Sequence, residues 1–368
     1  MEYEVPFVNY SLQYRNLKEE IDRVIQGVLE RGDLILRRDV DEFEKNLARF
    51  AGAKYALSLN SGTDALFLSL KAAGIGKGHE VITVSHTFVA SISAIVQAGA
   101  EPVLVDVRED YLIDPGEIEK KISEKTKAII PVHLNGRICQ MDKILEISRK
   151  YNLLVIEDAA QALGAEFKGK KAGSFGLTGC FSFYPAKVLG CFGDGGALTT
   201  NDFELAEKIR LLRDHGQKTK TEIVCYGWNS RLDNLQAAVL NIKLKYLPKW
   251  IERRREIARI YNEGLKEVSE IRLPPPPNSD KEYFDVFQNY VIRAEKRDNL
   301  FEFLKEKGVE TLIKDPVPNH WQKGLGLSHF KLPLTEQLSK EVISLPMYPE
   351  LTNEQIEYVI ERIKEFYK

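Results

Sequence analysis

Apolar, β-prone runs alternate with amphipathic stretches over the first two thirds of the chain. The runs are YALSLN (55–60), EVITVS (80–85), EPVLVDV (101–107), AIIPVH (128–133), LLVIED (153–158), CFSFYP (180–185) and GALTTN (196–201). They are continuously apolar rather than alternating, which predicts strands covered on both faces. Between most of them lie helix-like segments such as TDALFLSLKAAG (63–74) and MDKILEISRKYN (141–152). The pattern is α/β, with a mostly parallel seven-stranded sheet between helix layers.

The character then changes. A long helical pattern runs from about Arg231 to about Val268, and Pro248 predicts a kink or an end within it. LPPPPNSDKEY (273–283) excludes regular helix and reads as a connector. A strand-like VFQNYVIRA, a helix KRDNLFEFLKEKG and a closing helix TNEQIEYVIERIKEFYK opened by Thr352 follow. These predict a smaller C-terminal α+β domain, with residues 1–247 forming the large domain and 248–368 the small one.

Composition narrows the function classes. The 368 residues carry 52 Lys and Arg against 54 Asp and Glu, a net charge of -2. That leaves no electrostatic footprint for nucleic acid or an anionic membrane. MEYEVPFVNY lacks the basic start of a signal peptide, and no apolar run approaches the ~20 residues of a membrane span, so a cytoplasmic protein is expected. Cys139, Cys180, Cys191 and Cys225 form no C-x-x-C pair and read as buried reduced thiols. The six histidines show no H-x-x-x-H spacing, so no metal site is expected.

In parallel α/β sheets ligands sit beyond the carboxyl ends of the strands, so the residues after each strand matter most. After YALSLN comes SGTDAL, where Gly62 allows close backbone approach and Thr63 opens a helix. Free N–H groups and the helix dipole make a phosphate cradle there, although a plain N-cap accounts for the same residues. LLVIED ends in Asp158, a carboxylate that needs a partner once buried, either as a structural pair or as the holder of a protonated ring nitrogen. Gln161 follows one turn later, within reach of the same ligand. CFSFYPAK sets Ser182 and Lys187 after another strand, with glycine-rich chain beyond. Ser182 offers a second phosphate ligand. A desolvated Lys187 would have a lowered pKa and a nucleophilic neutral amine. Pyridoxal phosphate needs these three things: an anion site, a carboxylate on its ring nitrogen and a lysine for its imine. Phe88, in SHTFVAS, is a candidate to stack on the ring.

Taken in order, NSGTDAL, SHTFVAS, PVHLNG, IEDAAQALGA, SFYPAKVLGCFGDGGAL, DHG, YGWNSRLDNLQAAVL and LPMYPELTNEQI resemble the DegT-like nucleotide-sugar aminotransferases, which are fold-type I pyridoxal phosphate enzymes. The resemblance spans about residues 5 to 360. It implies Lys187 as the Schiff-base lysine, Asp158 on the pyridine nitrogen and Gln161 on the ring hydroxyl. Phe88 would stack on the ring, and Gly62, Thr63 and Ser182 would hold the phosphate. It also implies that Asn229 reaches the phosphate of a neighbouring subunit, hence a homodimer with shared active sites. The implied substrates are an amino acid donor, glutamate, and a nucleotide-linked keto sugar. Tyr184, in SFYP, resembles the members that aminate sugar carbon 3, with SFHP members often acting at carbon 4. Tyr184, Arg231 and His320 are candidate substrate contacts. Lys187 sets the chain apart from members that carry histidine there and remove a hydroxyl.

The chain departs from the family at Val188 and Asn135, where Asn and Tyr are usual, and at Asn319, where Leu is usual. Two other classes are weighed against this reading. A dinucleotide-dependent oxidoreductase lacks its G-x-G-x-x-G after the first strand. A regulator that keeps the fold and the cofactor without turnover shares the fold, which alone does not decide against it; the intact Lys187, Asp158 and Ser182 argue against such decay.

Overall fold

All seven predicted strands form one sheet in the computed structural model, which describes residues 3–368. They are β1 (Tyr55–Leu59), β2 (Glu80–Val84), β3 (Glu101–Val105), β4 (Thr126–Ile129), β5 (Leu154–Asp158), β6 (Thr178–Ser182) and β7 (Gly196–Thr200). Their order across the sheet is β1-β7-β6-β5-β4-β2-β3, and only β7 runs antiparallel to its neighbours. The fold class expected from the sequence is the one observed.

The apolar runs are continuous because successive side chains enter different cores. Ala56, Val155, Phe181 and Ala197 face one cluster, while their neighbours Leu57, Ile156, Cys180 and Leu198 face the other. The first cluster is closed by α1 (Tyr10–Arg31), α2 (Arg38–Ala51) and α5 (Met141–Tyr151). The second is closed by α3 (Gly62–Ala72), α4 (Ala90–Ala98) and α6 (Phe203–Leu212). In α2, Val40, Phe43, Leu47 and Ala51 recur at helical spacing and are all buried. Each large aliphatic buried this way contributes roughly 1.5–3 kcal/mol.

The long pattern is α7 (Asn234–Leu265), a single helix of 32 residues that continues through Pro248. Leu240, Leu247 and Ile251 pack into the first core, whereas Ile257, Tyr261 and Leu265 pack into a third cluster. The expected division at 247/248 therefore falls inside a helix used by both cores. The third cluster joins α8 (Arg297–Glu306), α10 (Asn353–Phe366) and a small antiparallel sheet of β8 (Ile271–Arg272), β9 (Tyr290–Ala294) and β10 (Val342–Leu345). The intervening helix α9 is Pro333–Glu341. Thr352 caps α10 in a reciprocal box with Gln355, as the closing pattern predicts. Three of the four cysteines are buried and all are free thiols; Cys225 departs from the expectation by being exposed. Among the described residues no helix is long and apolar enough to cross a membrane.

Candidate active site

Strand order decides which loops meet. β7 lies between β1 and β6, and its Gly196 pairs with Leu59 on one side and Ser182 on the other. The turn after β1 is thus pressed onto the end of β6. A Cβ on Gly62 would stand 2.8 Å from the Ser182 Cβ, and one on Gly196 would stand 2.2 Å from the Ser61 carbonyl carbon. Only glycine fits either place. α3 starts at Gly62, with the Ser61 side chain accepting the Asp64 N–H at 3.0 Å. The N–H groups of Gly62 and Thr63, in the first turn, have no acceptor within the helix, and the helix dipole adds positive potential. With the half-buried Ser182 hydroxyl beside them, this corner has the donors of an anion cradle.

Asp158 ends β5 and is 6 % exposed. Its Oδ2 accepts the Ser91 hydroxyl at 2.7 Å and its Oδ1 the Ala160 N–H at 3.2 Å. Ser91 is in the first turn of α4 and its hydroxyl also reaches the Phe88 carbonyl at 3.5 Å. Phe88 is 65 % exposed. The preceding Glu157 points to the other side of the sheet, as strand alternation requires. It is wholly buried, accepts the N–H groups of Gly173, Phe175 and Gly176, and pairs with His133 at 3.0 Å.

Lys187 lies on the loop after β6, its N–H donating to the Tyr184 carbonyl at 2.9 Å. Burial lowers its amine pKa, and the Asp158 charge opposes that shift. The loop is held from α7, where the buried Lys243 donates to the Gly190 carbonyl at 2.8 Å. Burial lowers Lys243 to about 8. Lys314 is also part of this region. Burial and the Lys187 charge bring it to about 7, and its Nζ donates to Asn289 Oδ1 at 2.6 Å.

Gln161 accepts through Oε1 from the Asn135 N–H at 2.8 Å and from Asn289 Nδ2 at 3.1 Å. Its Nε2 is therefore the end left to donate. Asn135 adopts φ 58°, a left-handed conformation that asparagine tolerates well. Tyr184 is 54 % exposed. Arg231 is half-buried and paired with Asp214 at 2.8 Å. Asn229 is exposed, on the loop where Tyr226 is 98 % and Ile223 69 % exposed.

His320 departs from its expected substrate contact. Its ring is 0 % exposed, with Nδ1 at 2.8 Å from Ser85 Oγ and Nε2 at 3.2 Å from Glu336 Oε1. Both ring nitrogens are engaged within the chain, so the side chain fastens the 319–321 turn to the end of β2. Asn319 does the same work, donating to the Ser85 and Thr87 carbonyls at 3.0 and 2.6 Å. Sequence reasoning passed over Ser91, Gln288, Asn289 and Lys314. Ser91 lies in SHTFVAS, one helical turn from Phe88, and Gln288 and Asn289 lie in VFQNYVIRA, which reads only as a strand.

The sequence pattern of the DegT/DnrJ/EryC1/StrS aminotransferase family matches residues 15–364. A Geobacillus stearothermophilus protein named pleiotropic regulatory protein is 45% identical over 368 residues, covering 99% of this chain and 99% of its own. The dTDP-3-amino-3,6-dideoxy-alpha-D-galactopyranose transaminase of Aneurinibacillus thermoaerophilus is 45% identical over 364 residues, covering 98% of this chain and 99% of its own. Among solved structures, DesV of S. venezuelae in complex with a ketimine intermediate superposes with a TM-score of 0.96 at 40% identity, covering 100% of this chain and 99% of DesV. With a match this long and a fold this close, the chain belongs to the DegT/DnrJ/EryC1/StrS aminotransferase family.

Proposed function

We propose that this chain carries pyridoxal phosphate on Lys187 and moves an amino group from an amino acid, glutamate, to carbon 3 of a keto sugar linked to dTDP or UDP. The supporting observation is one convergence at the carboxyl ends of β5 and β6: a buried carboxylate, a desolvated lysine and a glycine–serine anion cradle. The residues fit the cofactor. The contact between Gly62 and Ser182 leaves backbone donors open for a phosphate, and a Cβ would fill that space. Asp158 keeps a carboxylate oriented by Ser91 and the Ala160 N–H.

When bound, the cofactor supplies an electron sink for bond breaking at the amino acid α-carbon. Asp158 holds the proton on the ring nitrogen. Gln161 would donate Nε2 to the ring hydroxyl, and Phe88 would cover one face. Released when the donor's amino group takes its place, the Lys187 amine, neutral more often because burial lowers its pKa, would take the proton from the α-carbon and return it on the cofactor side. The same groups act in reverse order on the keto sugar. Tyr184 and Arg231 are the proposed substrate contacts. The 45% identity to a transaminase named for a 3-amino sugar, together with Tyr184, supports carbon 3 over carbon 4.

The working unit is proposed to be a homodimer, with Asn229 completing the partner's phosphate site. The exposed Ile223, Val224 and Tyr226 beside it form an apolar surface that a second copy would cover. A cytoplasmic location goes with this reading.

The test is reconstitution with pyridoxal phosphate, borohydride reduction and peptide mapping. A pyridoxyl adduct at Lys187 is expected; its absence there ends the proposal. L-glutamate should then convert the bound cofactor to its amino form, and a panel of dTDP- and UDP-keto sugars should be aminated at carbon 3. Carbon-4 products alone would overturn the Tyr184 argument and leave the cofactor chemistry standing. A fully active monomer in light scattering would overturn the shared site.

A further inference from the structure

Two consecutive side-chain amides, Gln288 and Asn289, reach the reaction centre from the segment that enters β9. Gln288 is 6 % exposed and Asn289 4 %. Gln288 accepts the Val188 N–H through Oε1 at 2.7 Å and donates Nε2 to the Ala186 carbonyl at 2.7 Å. One amide thus grips the backbone on both sides of Lys187. Asn289 donates Nδ2 to Gln161 Oε1 at 3.1 Å and to Asn135 Oδ1 at 3.0 Å.

The orientation of this second amide is forced from both ends. In its charged form the Lys314 amine is only a donor, and the short contact to Asn289 sets the Asn289 oxygen against it. The Asn135 N–H is likewise only a donor, so the Gln161 oxygen must face it. Asn289 then has just its NH2 to offer Gln161, and Gln161 has just its NH2 to offer the crevice.

The segment is itself held in place. Arg254, on α7, donates Nη1 to the carbonyls of Phe287, Gln288 and Met347 at 3.2, 3.3 and 2.9 Å. Gly136 packs so closely that a Cβ there would stand 2.8 Å from the Gln288 nitrogen.

We propose that Gln288 and Asn289 are positioning residues for amino transfer. Gln288 fixes the peptide that carries Lys187, and Asn289 aims the Gln161 amide at the cofactor's ring hydroxyl. Neither touches the reacting atoms. Because they are neighbours on one segment, a shift of that segment moves the lysine and Gln161 together. This rests on the Lys187 assignment above.

The experiment compares wild type, Q288M, Q288E, N289L, Q161A and the double variant Q161A/N289L, each loaded with pyridoxal phosphate. The readout is the pH midpoint of the visible absorbance band, which reports the lysine–cofactor linkage and is not an activity. Q288M removes both bonds at similar volume and should move the midpoint by about half to one unit. Q288E keeps the acceptor for the Val188 N–H, but turns an oxygen onto the Ala186 carbonyl and adds a negative charge beside the lysine, so it should raise the midpoint. N289L should move the midpoint as Q161A does, and the double variant should move it no further than Q161A alone. Midpoints unchanged in Q288M and N289L would overturn the proposal. So would additive shifts in the double variant. If Q288M fails to fold, an unmoved midpoint in Q288E has the same force for Gln288. Wild type without a borohydride-trapped adduct at Lys187 would remove the Lys187 assignment and this inference with it, whereas an adduct with unmoved midpoints would remove this inference only.

Discussion

Replacing Lys314 by methionine should flatten the pH dependence of stability above neutrality. Burial, then the charge of Lys187, lowers this amine from 10.5 to about 7, with Asp315 opposing. Between those values the unfolded chain holds a proton on the amine and the folded chain does not, so stability rises with pH across the window. Below about 7 the native state carries the whole penalty of the buried charge; above 10.5 the penalty is gone. The gap corresponds to at most ~5 kcal/mol at 1.36 kcal/mol per unit. The amine is half-buried, and screening by solvent brings this to roughly 2–3 kcal/mol. Methionine also strips Asn289 Oδ1 of its donor, a cost of about 1 kcal/mol that does not depend on pH. The assay is urea unfolding of the apoprotein and the variant at several values between about pH 7 and pH 10. The wild type should gain about 2 kcal/mol more than the variant across that range. Lys243, lowered to about 8, titrates in both proteins and cancels in the difference. Asp315, raised to about 6 by burial against the Lys314 charge, is ionised in the wild type across the range; the variant lacks that charge, so its Asp315 carboxyl rises further and weighs only on the lowest pH points. Parallel curves for the two proteins would refute the reasoning.

Gly62→Ala forces a methyl into a 2.8 Å gap beside Ser182; it should cost about 1–3 kcal/mol, lowering the apoprotein Tm by several degrees and weakening pyridoxal phosphate binding about tenfold in a fluorescence titration. An unchanged Tm and Kd would show that the corner yields freely. Ser91→Ala removes the hydroxyl donor from Asp158, worth about 1.5–3 kcal/mol, and should slow the glutamate half-reaction at least about tenfold in stopped flow while the fold survives. Asn319→Leu restores the family's usual residue but strips the Thr87 carbonyl of its donor and leaves the Ser85 carbonyl with the Thr87 N–H alone, so thermal unfolding should show a loss of about 1–3 kcal/mol. A gain in stability would mean that these two bonds contribute nothing net.

The strands and the candidate residues at their ends were legible because each is a local signal. An apolar run ending in Asp158, or a helix start at Gly62, is visible within a dozen residues. What was not legible depends on partners far apart in sequence. The grip of Gln288 on the Lys187 loop joins residues about a hundred positions apart, and nothing near VFQNYVIRA announces it. His320 reads as a substrate contact because of its motif, and Asn319 only as a departure from the family's usual Leu. Only the packing of that turn against Ser85 and Thr87 shows them as internal fasteners. Cys225 was misjudged because it lies among apolar residues that the single chain leaves uncovered. Pro248 was a fair breaker signal that tertiary packing overrode. Leu247, Trp250 and Ile251 are buried around it, and their packing offsets the lost hydrogen bond.

That uninterrupted helix has a thermodynamic consequence. At about 1.5 Å per residue, α7 is a rod about 48 Å long whose two ends belong to different cores. Melting either end leaves the other without one wall, so heat or denaturant should dismantle the whole chain in one cooperative step. A fragment severed at the proline should not survive as an autonomous folding unit.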